Sequence, residues 1–362
     1  MDVHSLDNFK RMLAGERPER MPFDFLPTAP VEDFMEKEYG SRDPMEAFGV
    51  DFGNIHPKWV KEPEKWEAAY REMGVPFPED YTIGFAGFMQ KIPPRASLGA
   101  AYHLKEVLHP LEGIDSVAEL EALPWPDLTD PEPFAEIPAE VERFHAMGKV
   151  ATGWQETTVF EFAWYQRSMQ MLFMDMAEEN GIADWLLDWF TERSCQTVKA
   201  FAKAGVDVIR LGDDIGVQNN LLLSMDMWRT HLKPRLAKVI GVIREHQTQP
   251  ICISYHSDGN ITQALPELIG LGIDMINPVQ PEAMEPGPVV RDFKERLGFW
   301  GIIGTQSTLP FGSPEEVREK VKECADWCRV GAKIVVAPTH VVEPDVSPEN
   351  IRAFIETAKA PL

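Results

Sequence analysis

The sequence predicts an α/β fold of the (β/α)8, or TIM-barrel, type, built as one domain over residues 1–362. Three observations predict it. Eight apolar runs of strand length recur along the chain. In the second half each run alternates with a helical stretch, and strand–helix alternation makes a parallel sheet. Nearly every run also stops in a polar group or a glycine, as strands do when they deliver side chains to the carboxyl-terminal rim of a barrel. Eight such units favour a closed barrel over an open sheet.

The elements follow in order. Residues 5–14 read as a short amphipathic helix with Ser5 as its cap. A first strand is expected over 21–26 (M-P-F-D-F-L), ended by Pro27 and Pro30, then a helix over 31–39 and a second strand over 49–55. From 58 to about 130 the pattern is irregular and rich in proline and aromatics, which predicts an insertion with a lid-like role. Within it, 102–108 alternates like an edge or hairpin strand. Residues 123–133 (L-P-W-P-D-L-T-D-P-E-P) are a turn-rich linker rather than a domain boundary, because composition does not change after them. The regular part then runs helix 134–146, strand 149–153, helices 159–177 and 182–203, strand 206–211 and helix 225–246. It continues with the strand that ends at His256, helix 261–271, strand 274–277, helix 289–296, strand 299–303, helix 314–329, strand 333–337 and helix 348–358. Gly205 is placed as a helix-terminating glycine, and Ser347-Pro348 as a cap with a first-turn proline.

Composition removes several functions. The net charge of −23 argues against nucleic acid, since phosphate recognition needs a basic face. No apolar run approaches the roughly 18 residues of a membrane span, and the polar, acidic start reads as no signal peptide. Four cysteines without an extracellular spacing pattern predict reduced thiols and a cytoplasmic protein. Cys324 and Cys328 share a helix face and read as structural. There is no glycine-rich phosphate loop. The oligomeric state is not legible.

The densest stretch is P-I-C-I-S-Y-H-S-D-G-N (250–260). An apolar run there ends in His256 and Asp258, which point to the same side of a strand. The other strand ends supply Trp154, Gln155 and Glu156; Asp213 and Asp214; Asn277 and Gln280; Thr305 and Gln306; and Thr339 and His340. Of the neighbours Asp213 and Asp214 only one can face inward, and the more distal Asp214 is the choice. Trp154, Trp164 and Tyr165 are candidates to wall an apolar pocket, or simply to fill core. Imidazoles and carboxylates on one rim fit two chemistries. One is a divalent metal, zinc first, held by nitrogen and oxygen with an open position. The other is metal-free acid–base work by His and Asp.

The runs G-D-D-I-G-V-Q (212–218), M-D-M-W-R-T-H-L-K-P-R-L (225–236), Y-H-S-D-G-N-I (255–261), I-D-M-I-N-P-V-Q-P (273–281), F-W-G-I-I-G-T-Q (299–306) and P-T-H-V-V-E-P-D-V-S-P-E-N (338–350) resemble the uroporphyrinogen decarboxylase superfamily. The resemblance covers the chain from about residue 150 onward and implies a (β/α)8 barrel, here with N-terminal insertions. It offers two activities. Decarboxylases of the superfamily grip their substrate's carboxylates with an arginine-rich N-terminal segment. This chain reads R-M-P-F-D-F-L-P-T-A-P there, with no arginine between Arg20 and Arg42. The other branch contains zinc methyltransferases that work with corrinoid proteins, through an H-x-C motif and a third ligand after the last strand. His256 matches the first position, Asp258 stands where the cysteine is expected, and His340 lies close to the third. Oxygen in place of sulfur makes a harder, more Lewis-acidic site, suited to an ether or alcohol oxygen rather than a thiol.

The resemblance therefore implies a corrinoid-dependent methyltransferase that demethylates a small methoxylated substrate with metal assistance. Zinc would sit on His256, Asp258 and His340, helped by Glu156 or Asp214, and cobalamin would be carried by a separate partner protein. His256, Asp214 and Glu156 are the catalytic candidates, and Trp154, Asp213, Asn277 and Gln306 the substrate-binding ones. Two rivals stand: a metal-free decarboxylase or lyase using Asp214 and His256, and a barrel that binds a small molecule without turnover.

Overall fold

The structure is a computed structural model that describes residues 4–91 and 106–362. Its strands are β1 (Phe52–Ile55), β2 (Tyr81–Ile83), β3 (Met89–Lys91), β4 (Glu106–Leu108), β5 (Val150–Gln155), β6 (Val208–Gly212), β7 (Cys252–His256), β8 (Met275–Asn277), β9 (Gly298–Trp300) and β10 (Ile334–Val335). β1 and β5 to β10 form a seven-stranded parallel sheet in chain order. The eighth position is filled by residues 22–28. Asp51 N–H donates to Phe23 O at 3.2 Å, Asp24 N–H donates to Val336 O at 3.1 Å, and Val336 N–H donates to Pro22 O at 2.9 Å. These bonds lay the segment between β1 and β10 and close the barrel. The expected first strand survives only as parallel bridges (Phe23 with Val336, Pro27 with Val342), because Pro22 and Pro27 have no N–H to give a ladder.

Two apolar layers hold the barrel. The larger packs the outward faces of the strands against the surrounding helices. The smaller lies inside the barrel, where Phe52, Val150, Val208, Cys252, Met275, Trp300 and Val335 point inward. The N-terminal helix Ser5–Leu13 plugs that end with Leu6, Phe9 and Met12, spaced three apart on one face. Phe9 meets Phe52 edge-to-face at 5.3 Å. The cap of this helix is His4, which accepts from Asp7 N–H, rather than the expected Ser5. With one end stoppered, chemistry is confined to the other rim.

The helices follow the expected order with local breaks. The span 159–177 is two helices, Glu161–Arg167 and Met169–Glu178, separated at Ser168, whose φ is +60°. Helix Ile182–Ala204 ends on Gly205 at φ +79°, and Ser347 caps helix Pro348–Ala358, both as expected. The insertion contains the antiparallel sheet β2-β3-β4. The strand expected over 102–108 is present at Glu106–Leu108, and its remainder lies outside the described residues. Trp125 fastens the insertion to the barrel through tilted ring contacts with Trp185 at 5.1 Å and Trp189 at 4.6 Å. Among the described residues no helix is long and apolar enough to cross a membrane.

Candidate functional site

Neighbouring strands bring the site together. Trp154 pairs with Arg210 across β5 and β6. Gly212 on β6 stands opposite His256 on β7, and His256 stands opposite Asn277 on β8. Gly212 is required there, since a Cβ would sit 2.7 Å from His256 Cβ and 2.9 Å from Glu156 O. The loops beyond β6 and β7 touch backbone to backbone: Gly259, at φ +78°, has Gly216 C at 2.7 Å from where its Cβ would be. Asp214 and Asp258 ride on these two loops, and Asp258 N–H donates to Asp214 Oδ1 at 2.7 Å.

A cavity of about 80 Å³ lies beneath this rim, lined among others by Asp24, Trp154, Glu156, Arg210, His256 and His340. Donor atoms of Asp214, His256 and Asp258 all lie within 4.8 Å of one another beside it. His256 Nε2 is 3.7 Å from Asp214 Oδ1. Ligands about 2.1 Å from a tetrahedral ion are roughly 3.4 Å apart, so this trio fits a small divalent cation with little movement. Imidazole nitrogen and carboxylate oxygen are donor types that zinc takes, and three such groups leave a fourth position for substrate.

The tautomer of His256 follows from its partners. Asn277 Nδ2 donates to Trp300 O at 3.0 Å, which turns Asn277 Oδ1 into the atom facing His256. That oxygen only accepts, so His256 Nδ1, 2.6 Å away, carries the proton. Nε2 is thereby the nitrogen turned toward Asp214, and it is the one that offers a lone pair when the ring is neutral. Burial disfavours charge on the ring, but Glu156, Asp214, Asp258 and the Asn277 bond outweigh it and push the pKa up to about 9.

Of the expected metal ligands, His256 and Asp258 are brought together and Asp214 joins them. His340 lines the cavity with its ring centre 6.3 Å from that of His256, and it stands outside the three-donor cluster. The reason is topological. β6 and β7 are neighbours, whereas His340 follows β10, three strands further round. Glu156 faces the cavity with Oε1 2.6 Å from Arg210 Nη2 and 3.8 Å from His256 Nδ1. Trp154 and Asn277 line the cavity as expected, and exposed Gln306 does not.

Asp213, expected at the substrate, turns the other way. Its carboxylate accepts from the N–H groups of Val159, Phe160 and Glu161 at 2.9, 2.8 and 2.9 Å, which fixes the start of helix Glu161–Arg167. Burial nevertheless lifts its pKa to about 7. Trp164 and Tyr165 also stand away from the cavity, meeting edge-to-face with ring centres 4.2 Å apart. Asp24, Arg210 and Trp300 were not expected in the site. The available signal was a charge in the middle of an apolar strand, at Asp24 in M-P-F-D-F-L and Arg210 in V-I-R-L-G.

Glu161 accepts from Asp214 N–H and Tyr165 OH, both at 2.8 Å. Burial, then the charges of Asp214 and Asp213, raise its pKa from 4.5 to about 8. Between those values the folded chain holds a proton that the unfolded chain has released, so stability falls as pH rises. Glu161→Gln is therefore expected to flatten the decline of Tm between pH 5 and 8, measured by calorimetry. Parallel curves for the two proteins would refute this assignment.

A sequence model of the family described as Uroporphyrinogen decarboxylase (URO-D) matches residues 158–361. No curated protein matches the chain significantly. Among solved structures, a methyltransferase from Methanosarcina mazei aligns with a TM-score of 0.65 at 17% identity, over 99% of this chain and 98% of that one. At this identity the likeness establishes the architecture alone. A hyperthermophilic β-glucosidase from Pyrococcus furiosus aligns with a TM-score of 0.42 at 11% identity, over 98% of this chain and 88% of its own.

Proposed function

The chain belongs to the uroporphyrinogen decarboxylase family, and on that premise we propose that it is a methyltransferase, moving the methyl group of a small methoxylated substrate to the corrinoid of a separate protein. The observation that carries this reading is the three-donor cluster of Asp214, His256 and Asp258 beside a small cavity. The likeness to a methyltransferase over nearly the whole chain accords with it. Against porphyrinogen decarboxylation stand two facts. The cavity of about 80 Å³ is far below the roughly 300–1,000 Å³ of pockets for drug-sized ligands. Arg20, the lone arginine before residue 42 after the first helix and its turn, is spent at 2.7 and 2.6 Å on Asp51.

Asp214, His256 and Asp258 would hold a zinc ion, which when bound would lend Lewis acidity to the oxygen that the methyl group leaves. The chain's own groups do the rest. Asn277 orients His256, and Trp154 and Trp300 wall the cavity against water. Glu156 Oε1 has no aligned hydrogen-bond donor, and from the cavity wall it is placed to anchor the substrate or pass a proton to the departing oxygen. In such a transfer the carbon–oxygen bond would break with its electron pair left on the oxygen that faces Glu156, and a reduced corrinoid on the partner would supply the nucleophile that accepts the methyl group.

The test is incubation of zinc-loaded protein with a panel of methoxylated aromatics and methanol, together with a reduced corrinoid protein. Demethylated product and methylated corrinoid are expected. A protein that binds no zinc but decarboxylates an acidic substrate would transfer the site to the metal-free rival, for which the protonated His256 beside Asp214 supplies an acid–base pair. Zinc binding itself has an expected pH dependence. The metal must displace the His256 proton, so affinity rises about tenfold per pH unit up to about pH 9, with one proton released per ion. Calorimetry in buffers of different ionisation heat counts that proton.

A further inference from the structure

Arg210 is a charged side chain inside the barrel, on the rim side of the apolar layer at the plugged end, and it is 3% exposed. Its guanidinium lies over two indoles, with Cζ 4.3 Å from the centre of Trp154 and 4.8 Å from that of Trp300. Two aromatic rings thus pack on the guanidinium, and its terminal nitrogens make the polar contacts. These nitrogens are shared by three groups. Nη2 is 2.6 Å from Glu156 Oε1 and donates to Asn277 Oδ1 at 3.0 Å, while Nη1 reaches Asp24 Oδ2 at 3.5 Å. Both terminal nitrogens are thus engaged by the protein's own groups, and Nε is the guanidinium nitrogen left without a partner.

Its contacts instead converge on one ring. Asn277 Oδ1 and Glu156 Oε1 are the two acceptors beside His256 Nδ1, at 2.6 and 3.8 Å, and Arg210 Nη2 touches both. We propose that Arg210 is a positioning residue: it pins Asn277 and Glu156, and through them fixes the plane of His256 and the nitrogen that His256 presents to Asp214 and Asp258. The consequence for metal rests on the function proposed above, and the geometry does not. Ligand histidines owe their orientation to such outer partners, and loss of one weakens metal binding about tenfold to a hundredfold. Lysine would keep the charge but lose both the stacking and the bridging edge.

The experiment uses the full chain as wild type, Arg210→Met and Arg210→Lys, with circular dichroism as the check on folding. The first readout needs no metal. In protein labelled with 15N-histidine, the His256 Nδ1–H resonance, assigned by its loss in His256→Asn, is expected to exchange slowly with solvent in wild type and to broaden or vanish in both Arg210 variants. The second is titration with Co2+ as a coloured probe. Affinity is expected to fall about tenfold to a hundredfold in Arg210→Met, with a changed visible spectrum, and lysine restores only part of it. If folded variants keep the protected Nδ1–H, the positioning role is overturned, whatever the metal result. If wild type binds no Co2+ or zinc while the resonance behaves as expected, the methyltransferase reading fails and the role of Arg210 stands.

Discussion

His256→Ala is expected to lose zinc and, with it, methyl transfer by about a thousandfold or more, while the barrel stays folded. The size follows from what a Lewis acid contributes to a departing oxyanion, several kcal/mol, at about 1.4 kcal/mol per factor of ten. Removal of the ring also leaves Asp214 and Asp258 facing each other with no imidazole between them, so the residual pair is a poor site. His256 ends β7 at the rim, and the interior core at the opposite end does not include it. The fold therefore has little reason to fail. The measurement is metal content after dialysis, set beside turnover and far-ultraviolet circular dichroism. A variant that keeps stoichiometric zinc, or that turns over at the wild-type rate without it, would remove His256 from the proposed chemistry. His340→Ala is the contrasting case: His340 lies in the cavity wall outside the donor cluster, so its loss should leave zinc in place.

That contrast shows where the sequence was readable and where it was not. Strands announce themselves by apolar runs closed with polar groups, and the seven paired strands and their order follow from that periodicity. The first strand was legible as a run, but its prolines reduce it to bridges. The break at Ser168 carries no composition signal, since M-Q-M-L-F-M continues the helical pattern beyond it. His256 and Asp258 were legible because they sit two apart at a strand end. The structure groups Asp214 with these two, while His340, the third donor that the resemblance implies, lies in the cavity wall. In a barrel whose strands neighbour one another in chain order, the loops after β6 and β7 must be adjacent, and that favours Asp214. Which of Asp213 and Asp214 faces the site was settled by three backbone N–H groups at the start of helix Glu161–Arg167, groups that a linear reading does not bring near β6. Arg210 was missed because an apolar strand was read as a whole, and its one charge was passed over.

Arg167→Leu is expected to cost about 3–5 kcal/mol of stability, the range for breaking a buried ion pair from one side. Arg167 is 2% exposed and Asp175 3%, and they pair at 2.8 Å through Nε and 3.1 Å through Nη2. Nη1 also donates to Leu111 O, Glu112 O and Ile114 O at 2.5, 2.9 and 2.7 Å. The substitution would strand a buried carboxylate and three carbonyls together. The damage should not spread evenly. Those carbonyls belong to the exit of the insertion, so residues near 111–114 should open first, ahead of global unfolding. Hydrogen exchange and limited proteolysis should report that local loosening, and denaturant titration the total. Zinc affinity should hold at low denaturant, because its donors ride on β6 and β7 rather than on the insertion. A loss below about 1 kcal/mol, which is typical of exposed pairs, would mean that Arg167 does not bind the insertion to the barrel. Loss of zinc in step with the loosening would mean instead that the insertion supports the metal site directly.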